Sequence, residues 1–234
     1  MINVYIGWDP REVRAYNVCA SSLKRHTTVP INIIPIIREE LEHQNKHKRP
    51  HDNLAATQFT YTRFLVPFLN NYNGIAVFCD CDFLWLTDIN QLLQEINYGT
   101  ADFNKKAVYV VKHDYTPVNT IKMDGAVQTI YPRKNWSSLI VWNCNHPKHK
   151  VLSTECINTA TGAFLHRFQW LNDEEIGEID LGWNWLVDVY DINTYGKELK
   201  ALHYTEGGPW FENYKNCSFS DLWNTEESLS LQTT

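Results

Sequence analysis

Five consecutive apolar residues, Ile75–Cys79, run directly into Asp80-Cys81-Asp82. A short continuous apolar run of this kind reads as a central parallel strand buried on both faces. Such a strand needs covering layers, which points to an α/β domain. Two carboxylates at positions i and i+2 of an extended chain project to one side and can face one point. Close like charges there need a cation or a proton. Hard oxygen ligands suit Mn²⁺ or Mg²⁺, ions that commonly complete their shells with substrate phosphates. The same residues also fit a solvated turn with one helix-capping aspartate, and the Asp-x-Asp spacing by itself does not choose between the two.

The flanking pattern supports the α/β class. Residues 3–7 read as a first strand ending in Gly7, and Asp9-Pro10 offers a cap and a first-turn proline for a helix over 10–25, with Val13, Tyr16, Ala20 and Leu23 at helical spacing. Residues 31–37 read as a second strand, and 57–69 as a helical segment that Pro67 kinks or ends. A short helix is expected from Thr87-Asp88 through Ile96, and strands over 107–112, 138–142 and 199–204. The polar stretch before residue 138 reads as a mobile loop over a site, and 150–177 as mostly helical or irregular. In a β-α-β-α-β order, ligands bind beyond the carboxyl ends of the strands. Residues 38–53 are polar, with His43, His47 and His51 four apart. These could line a helix face around a metal, but Pro50 and the lack of apolar partners favour a solvated loop.

Composition narrows the function. The 234 residues are 44% hydrophobic, enough for one core. We expect a single catalytic domain over 1–217 and a polar tail over 218–234, relieved only by Phe219, Leu222 and Trp223 and frayed at its end. A formal net charge of −6 argues against a nucleic-acid partner. No apolar run reaches the roughly 18 residues of a transmembrane segment, and the start reads as a strand, not a signal peptide, so a cytoplasmic location is expected. The six cysteines form no zinc spacing, and Cys79 and Cys81 read as small buried hydrophobes. Nine Trp and twelve Tyr are mainly core, though some could stack on sugars or bases in a cleft.

Context raises the metal reading. Arg63 stands in Tyr-Thr-Arg-Phe-Leu-Val-Pro-Phe shortly before the apolar strand, and His203 ends the last predicted strand with Gly207-Gly208 close behind. A neutral imidazole suits Mn²⁺ as a third ligand, and paired glycines allow backbone amides to approach a phosphate. On Val4–Gly7 with Asp9, Tyr61-Thr62-Arg63 with Pro67, the Asp-x-Asp strand, residues 172–177, and His203 through Pro209-Trp210, the chain resembles the retaining glycosyltransferases related to glycogenin and to bacterial lipooligosaccharide galactosyltransferases. These form glycosyltransferase family 8, with the GT-A fold: a mixed, mostly parallel sheet flanked by helices. The resemblance covers nearly the whole chain.

That resemblance implies a nucleotide-sugar donor, with UDP-hexose favoured, and a glycan or other hydroxyl acceptor. Asp80, Asp82 and His203 would bind the metal that holds the donor diphosphate. Gly7 and Asp9 would meet the nucleotide, and Arg63 would support Asp80 and the donor. Asp173 would hold sugar hydroxyls, and Glu174 would lie nearest the anomeric carbon, as stabiliser or nucleophile. The chain departs from the family in three places. Gly208 stands where a diphosphate-binding lysine is usual, leaving Lys215 or the amides around Gly207 and Gly208 to supply the charge. Trp136-Ser137-Ser138 replaces Asn-Ala-Gly, and Glu174 replaces glutamine. A nucleotidyltransferase, or a nucleotide-sugar-binding protein with a degenerate site, are the competing readings.

Overall fold

The apolar runs become strands of two sheets that meet at the Asp80–Asp82 corner. The computed structural model describes residues 1–50, 56–114, 121–122, 126–127, 133 and 135–232. Its strands are β1 (Ile2–Gly7), β2 (Ile31–Ile36), β3 (Ile75–Cys79), β4 (Phe83–Trp85), β5 (Val108–Val110), β6 (Ile121–Lys122), β7 (Ala126–Val127), β8 (Leu139–Asn143), β9 (Ile176–Glu178), β10 (Trp185–Leu186) and β11 (Ala201–His203). The α-helices are α1 (Val13–His26), α2 (Arg38–His43), α3 (Val66–Leu69), α4 (Ile89–Glu95), α5 (Ala101–Asn104), α6 (Thr154–Thr159), α7 (Gly162–His166), α8 (Ile192–Tyr195) and α9 (Ser220–Gln232).

The main sheet has the order β2-β1-β3-β8-β5-β9. Its β1–β2, β1–β3 and β5–β9 pairs are parallel, and β8 runs antiparallel to both neighbours. Every residue of β3 and β8 is buried, as expected of strands covered on both faces. Only three residues separate the end of β3 from β4, a strand of the second sheet, β10-β11-β4. The chain therefore passes from one sheet to the other through Asp80-Cys81-Asp82.

Several local expectations change. Helix α1 begins at Val13, not at residue 10, because Asp9 to Glu12 form a turn in which the Glu12 amide donates to the Asp9 carbonyl at 2.9 Å. Pro67 lies in the first turn of α3 after a 3₁₀ segment over Thr62–Leu65, where its missing N–H costs nothing, so it opens a helix and does not end one. Part of the expected 38–53 loop is helix α2, anchored by buried Leu41, and the His47 ring is buried 3.5 Å from the Glu42 carboxylate. His51 and most of the expected loop before residue 138 lie outside the described residues.

The segment read as a polar tail is ordered as α9, which packs along α1. Trp223 is 1% exposed, with the Arg14 guanidinium 5.4 Å from its ring centroid. Arg14 also pairs with Glu227 at 2.7 Å, while buried Glu226 accepts from Ser21 at 2.9 Å and pairs with Arg25. The sequence conceals this docking because its polar partners sit some 200 positions apart. Among the described residues, no helix is long and apolar enough to cross a membrane.

Candidate metal and donor site

The corner between the sheets gathers Asp80, Asp82 and His203, each offering one ligand atom, with these atoms within 4.8 Å of one another. The register explains how His203 arrives. Strand β11 pairs antiparallel with β4, and His203 sits opposite Phe83, the residue after Asp82. Its ring stacks on Phe83 with centroids 4.6 Å apart, and its Nε2 lies 3.4 Å from Asp82 Oδ1. Asp82 and His203 are buried, while Asp80 is partly open. Two carboxylates and an imidazole match the donor preferences of a divalent ion such as Mn²⁺. Cys81 does not join them. Its fully buried thiol lies 3.6 Å from the Glu12 carboxylate, and burial pushes its pKa well above the ordinary range. Cys79 is likewise buried, 3.8 Å from Cys19.

Arg63 fixes Asp80. Its Nη1 donates to Asp80 Oδ1 at 2.7 Å and to the Ser137 carbonyl at 2.9 Å, and its guanidinium lies against Phe59 and Phe78 at 5.2 and 5.1 Å. Removing this buried partner would leave a carboxylate less compensated, a change that costs several kcal/mol in comparable sites.

Behind His203 lies a polar layer that motif reading missed. His203 Nδ1 meets Asn184 Oδ1 at 2.8 Å, Asn184 Nδ2 donates to Ser138 Oγ at 2.8 Å, and Ser138 Oγ donates to the Asn135 carbonyl at 2.7 Å. Nearby, His113 is buried with Nδ1 2.9 Å from the Tyr190 hydroxyl, and its carbonyl accepts from Trp136 Nε1 at 3.1 Å. Burial, with His203 adding to it, pushes the His113 pKa down to about 3, so the ring is neutral. The available signal was Asn184 itself, a polar residue between two tryptophans in Gly182-Trp183-Asn184-Trp185. Buried polar side chains in such apolar company need a partner.

The remaining expected residues fall in different places. Asp9 is fully buried and accepts from the Arg11 backbone and side chain and from the Gln58 amide. Burial alone would raise its pKa, but these hydrogen bonds hold it below the ordinary value. Gly7 lies under the Phe59 ring, whose atoms a Cβ would meet at 2.5 Å. Gly207 has φ +128° beneath Tyr214, and a Cβ on Gly208 would overlap the Trp210 ring. Lys215 pairs with Glu212 at 2.6 Å on the surface.

Asp173 and Glu174 are not brought to the corner as the resemblance implied. They lie on a 3₁₀ turn that enters β9, and Ile176 is level with Val108, Trp142 and Ala76 across the sheet. Ala76 is near the start of β3, whereas Asp80 follows its end. Both carboxylates are exposed; Asp173 pairs with Arg133, and Glu175, the residue after Glu174, pairs with Lys148 at 2.6 Å.

No family model matches the chain. A curated relative does: Protein CDI of Arabidopsis thaliana is 50% identical over 228 residues, covering 95% of this chain and 85% of the relative. The chain belongs to the Protein CDI family. Its fold is shared with glycosyltransferases. The bifunctional enzyme WbbM matches with a TM-score of 0.59 at 18% identity, over 97% of this chain and 49% of that chain. The glycosyltransferase GlyE of Streptococcus pneumoniae matches at 0.60 and 14%, over 99% and 62%. The galactosyltransferase LgtC, solved with donor and acceptor sugar analogues, matches at 0.57 and 10%, over 97% and 96%. The chain thus spans about half of WbbM but nearly all of LgtC. At such identities the likeness is one of fold, and that fold is GT-A, the mostly parallel α/β architecture expected from the family 8 resemblance.

Proposed function

We propose that this member of the Protein CDI family is a metal-dependent, retaining glycosyltransferase that moves a hexose from a nucleotide-sugar, with UDP-hexose favoured, to a glycan or other hydroxyl acceptor. The observation that carries the proposal is the convergence of Asp80, Asp82 and His203 at the seam of the two sheets of a GT-A fold. The site lies at the carboxyl end of β3, where α/β sheets bind their ligands. LgtC, of matching fold, was solved with donor and acceptor sugar analogues.

The chain's own residues divide the work. Asp80, Asp82 and His203 would hold a Mn²⁺ or Mg²⁺, which as a Lewis acid neutralises the diphosphate charge that grows as the sugar leaves. Arg63 keeps the Asp80 carboxylate aimed. In the Gly207-Gly208 turn the Gly207 amide donates to the Tyr204 carbonyl at 2.9 Å, which leaves the Gly208 amide to meet the diphosphate in place of a lysine. Asp9 and Gly7 shape the nucleotide end, Asp9 by clamping Arg11. Asp173 acts on the sugar side only through Arg133, whose guanidinium also lies 5.4 Å from the Trp136 ring. Glu174 has no bond-making role in this scheme, because its turn enters β9 at the level of Ala76.

The test is UDP release from UDP-glucose and UDP-galactose with Mn²⁺, followed by NMR of the product's anomeric configuration. Slow release to water is expected, removed by chelation and lowered at least about 100-fold in Asp82→Ala. Binding of a nucleotide-sugar without release of UDP would leave a degenerate binding protein, a reading that Gly208 in the lysine's place favours, and absence of both would overturn the proposal. Pyrophosphate release from a nucleoside triphosphate would indicate a nucleotidyltransferase instead.

A further inference from the structure

We infer that Asn184 is a positioning residue that sets the tautomer of His203 and so makes the corner receptive to a cation; this rests on the metal reading above. The direction of every hydrogen bond in the layer follows from one backbone group. The Asn135 carbonyl can only accept, so the Ser138 hydroxyl, 2.7 Å away, spends its proton there. The Ser138 oxygen is then left to accept, and its other neighbour, Asn184 at 2.8 Å, must present its NH₂. That orients the Asn184 amide and turns Oδ1 toward His203 Nδ1 at 2.8 Å. An amide oxygen only accepts, so Nδ1 carries the hydrogen.

The consequence falls on the far side of the ring. A neutral imidazole with its hydrogen on Nδ1 has a lone pair on Nε2, and Nε2 lies 3.4 Å from Asp82 Oδ1. The Nε2 lone pair and the carboxylate oxygens of Asp80 and Asp82 then converge on one point, as the ligand atoms of a divalent cation do. Asn184 is itself fully buried, and His203 is 1% exposed, so water does not readily replace either partner. Without an acceptor at residue 184, the Nδ1 hydrogen would be stranded. The ring would then adopt the other tautomer, donate Nε2–H to Asp82 and close the site from within. Outer partners of this kind typically alter metal affinity by about 10- to 100-fold.

Two measurements on the full chain test this. In the first, Mn²⁺ is titrated calorimetrically into wild type, Asn184→Asp and Asn184→Leu. The aspartate keeps an acceptor toward Nδ1 and adds a negative charge near the cation, so it should bind no more weakly than wild type, whereas leucine, similar in size but without an acceptor, should bind about 10- to 100-fold more weakly. In the second, metal-free protein with ¹⁵N-labelled histidine is examined by NMR near pH ~8, above the ordinary imidazole range. The His203 signal, assigned by its loss in His203→Gln, should report hydrogen on Nδ1 in wild type and on Nε2 in Asn184→Leu. Hydrogen on Nε2 in wild type, or undiminished Mn²⁺ affinity in Asn184→Leu, overturns the inference. If the leucine variant does not fold, the wild-type tautomer decides. If wild type takes up no Mn²⁺, the metal reading falls, while an Nδ1 hydrogen still upholds the role of Asn184 in orienting the ring.

Discussion

Gly208 separates two reasons for a small residue. Chemistry would keep it small so that amides reach a phosphate; packing would keep it small because Trp210 covers it. Trp210 in turn packs on Tyr204 and Trp223, with centroids 5.9 and 5.5 Å apart. Gly208→Ala should therefore lower ligand-free stability by about 1–3 kcal/mol, as overpacking does, which is read as a fall in the thermal midpoint without donor. An unchanged midpoint with weakened UDP binding would assign the glycine to the ligand alone. At this scale the sequence was informative where chemistry is written in residue type. Asp80, Asp82 and His203 were legible because two carboxylates end an apolar run and an imidazole ends another. Glu174 misled because an acidic pair resembles another acidic pair, and the level at which a three-residue strand joins its sheet is not encoded in the strand. Asn184 escaped notice because its role depends on an oriented hydrogen-bond chain through Ser138, 46 positions away.

Helix α9 sets the limit at the scale of elements. Its Ser, Asn and Glu content looks like a solvated tail, and only its placement on α1 turns Glu226 and Glu227 into partners for Arg25 and Arg14. The helix also reaches toward the site. The Tyr204 hydroxyl, one residue beyond His203, donates to the Phe219 carbonyl at 3.0 Å just before α9 begins. Trp223→Ala should cost about 3–5 kcal/mol as a buried aromatic truncation. For a domain of this size, even 3 kcal/mol corresponds to roughly 6–12 °C in the thermal midpoint. A change within about 1 °C would show that α9 contributes little to the fold. The strands with long apolar runs, β1 and β3, were readable because burial on both faces demands such runs. The short β4 and β10 were not, since they hold two or three residues each and depend on β11 for their pairing.

Across the molecule, the class of fold was readable and the strand directions were not. Nothing in Leu139-Ile140-Val141-Trp142-Asn143 marks β8 as the antiparallel member, because direction is imposed by the connections on either side. Global stability carries a buried histidine at the end of the main sheet away from the corner. His149 is fully buried, donates Nε2–H to the Ala107 carbonyl at 2.9 Å, and has its pKa pushed down to about 4 from 6.5, chiefly by burial. The unfolded chain protonates this ring first. Its contribution is therefore complete above about pH 6.5 and lost as pH falls toward about 4, by an amount on the order of 3 kcal/mol. Denaturant midpoints measured across that window should fall with pH, and His149→Gln should flatten the slope; an equally steep slope in the variant would place the acid sensitivity elsewhere.

The corner that joins the two sheets also constrains how this chain can vary over evolution. Only Asp80, Cys81 and Asp82 separate β3 from β4, and two of the three are ligand candidates. The spacing of the carboxylates and the handover from sheet to sheet are therefore one length, not two. An insertion or deletion there would swing β4, and with it β11 and His203, out of register at the same stroke. Loops that only border the corner can lengthen or shorten without moving it. The corner itself can change residue by residue, but not in its number of residues.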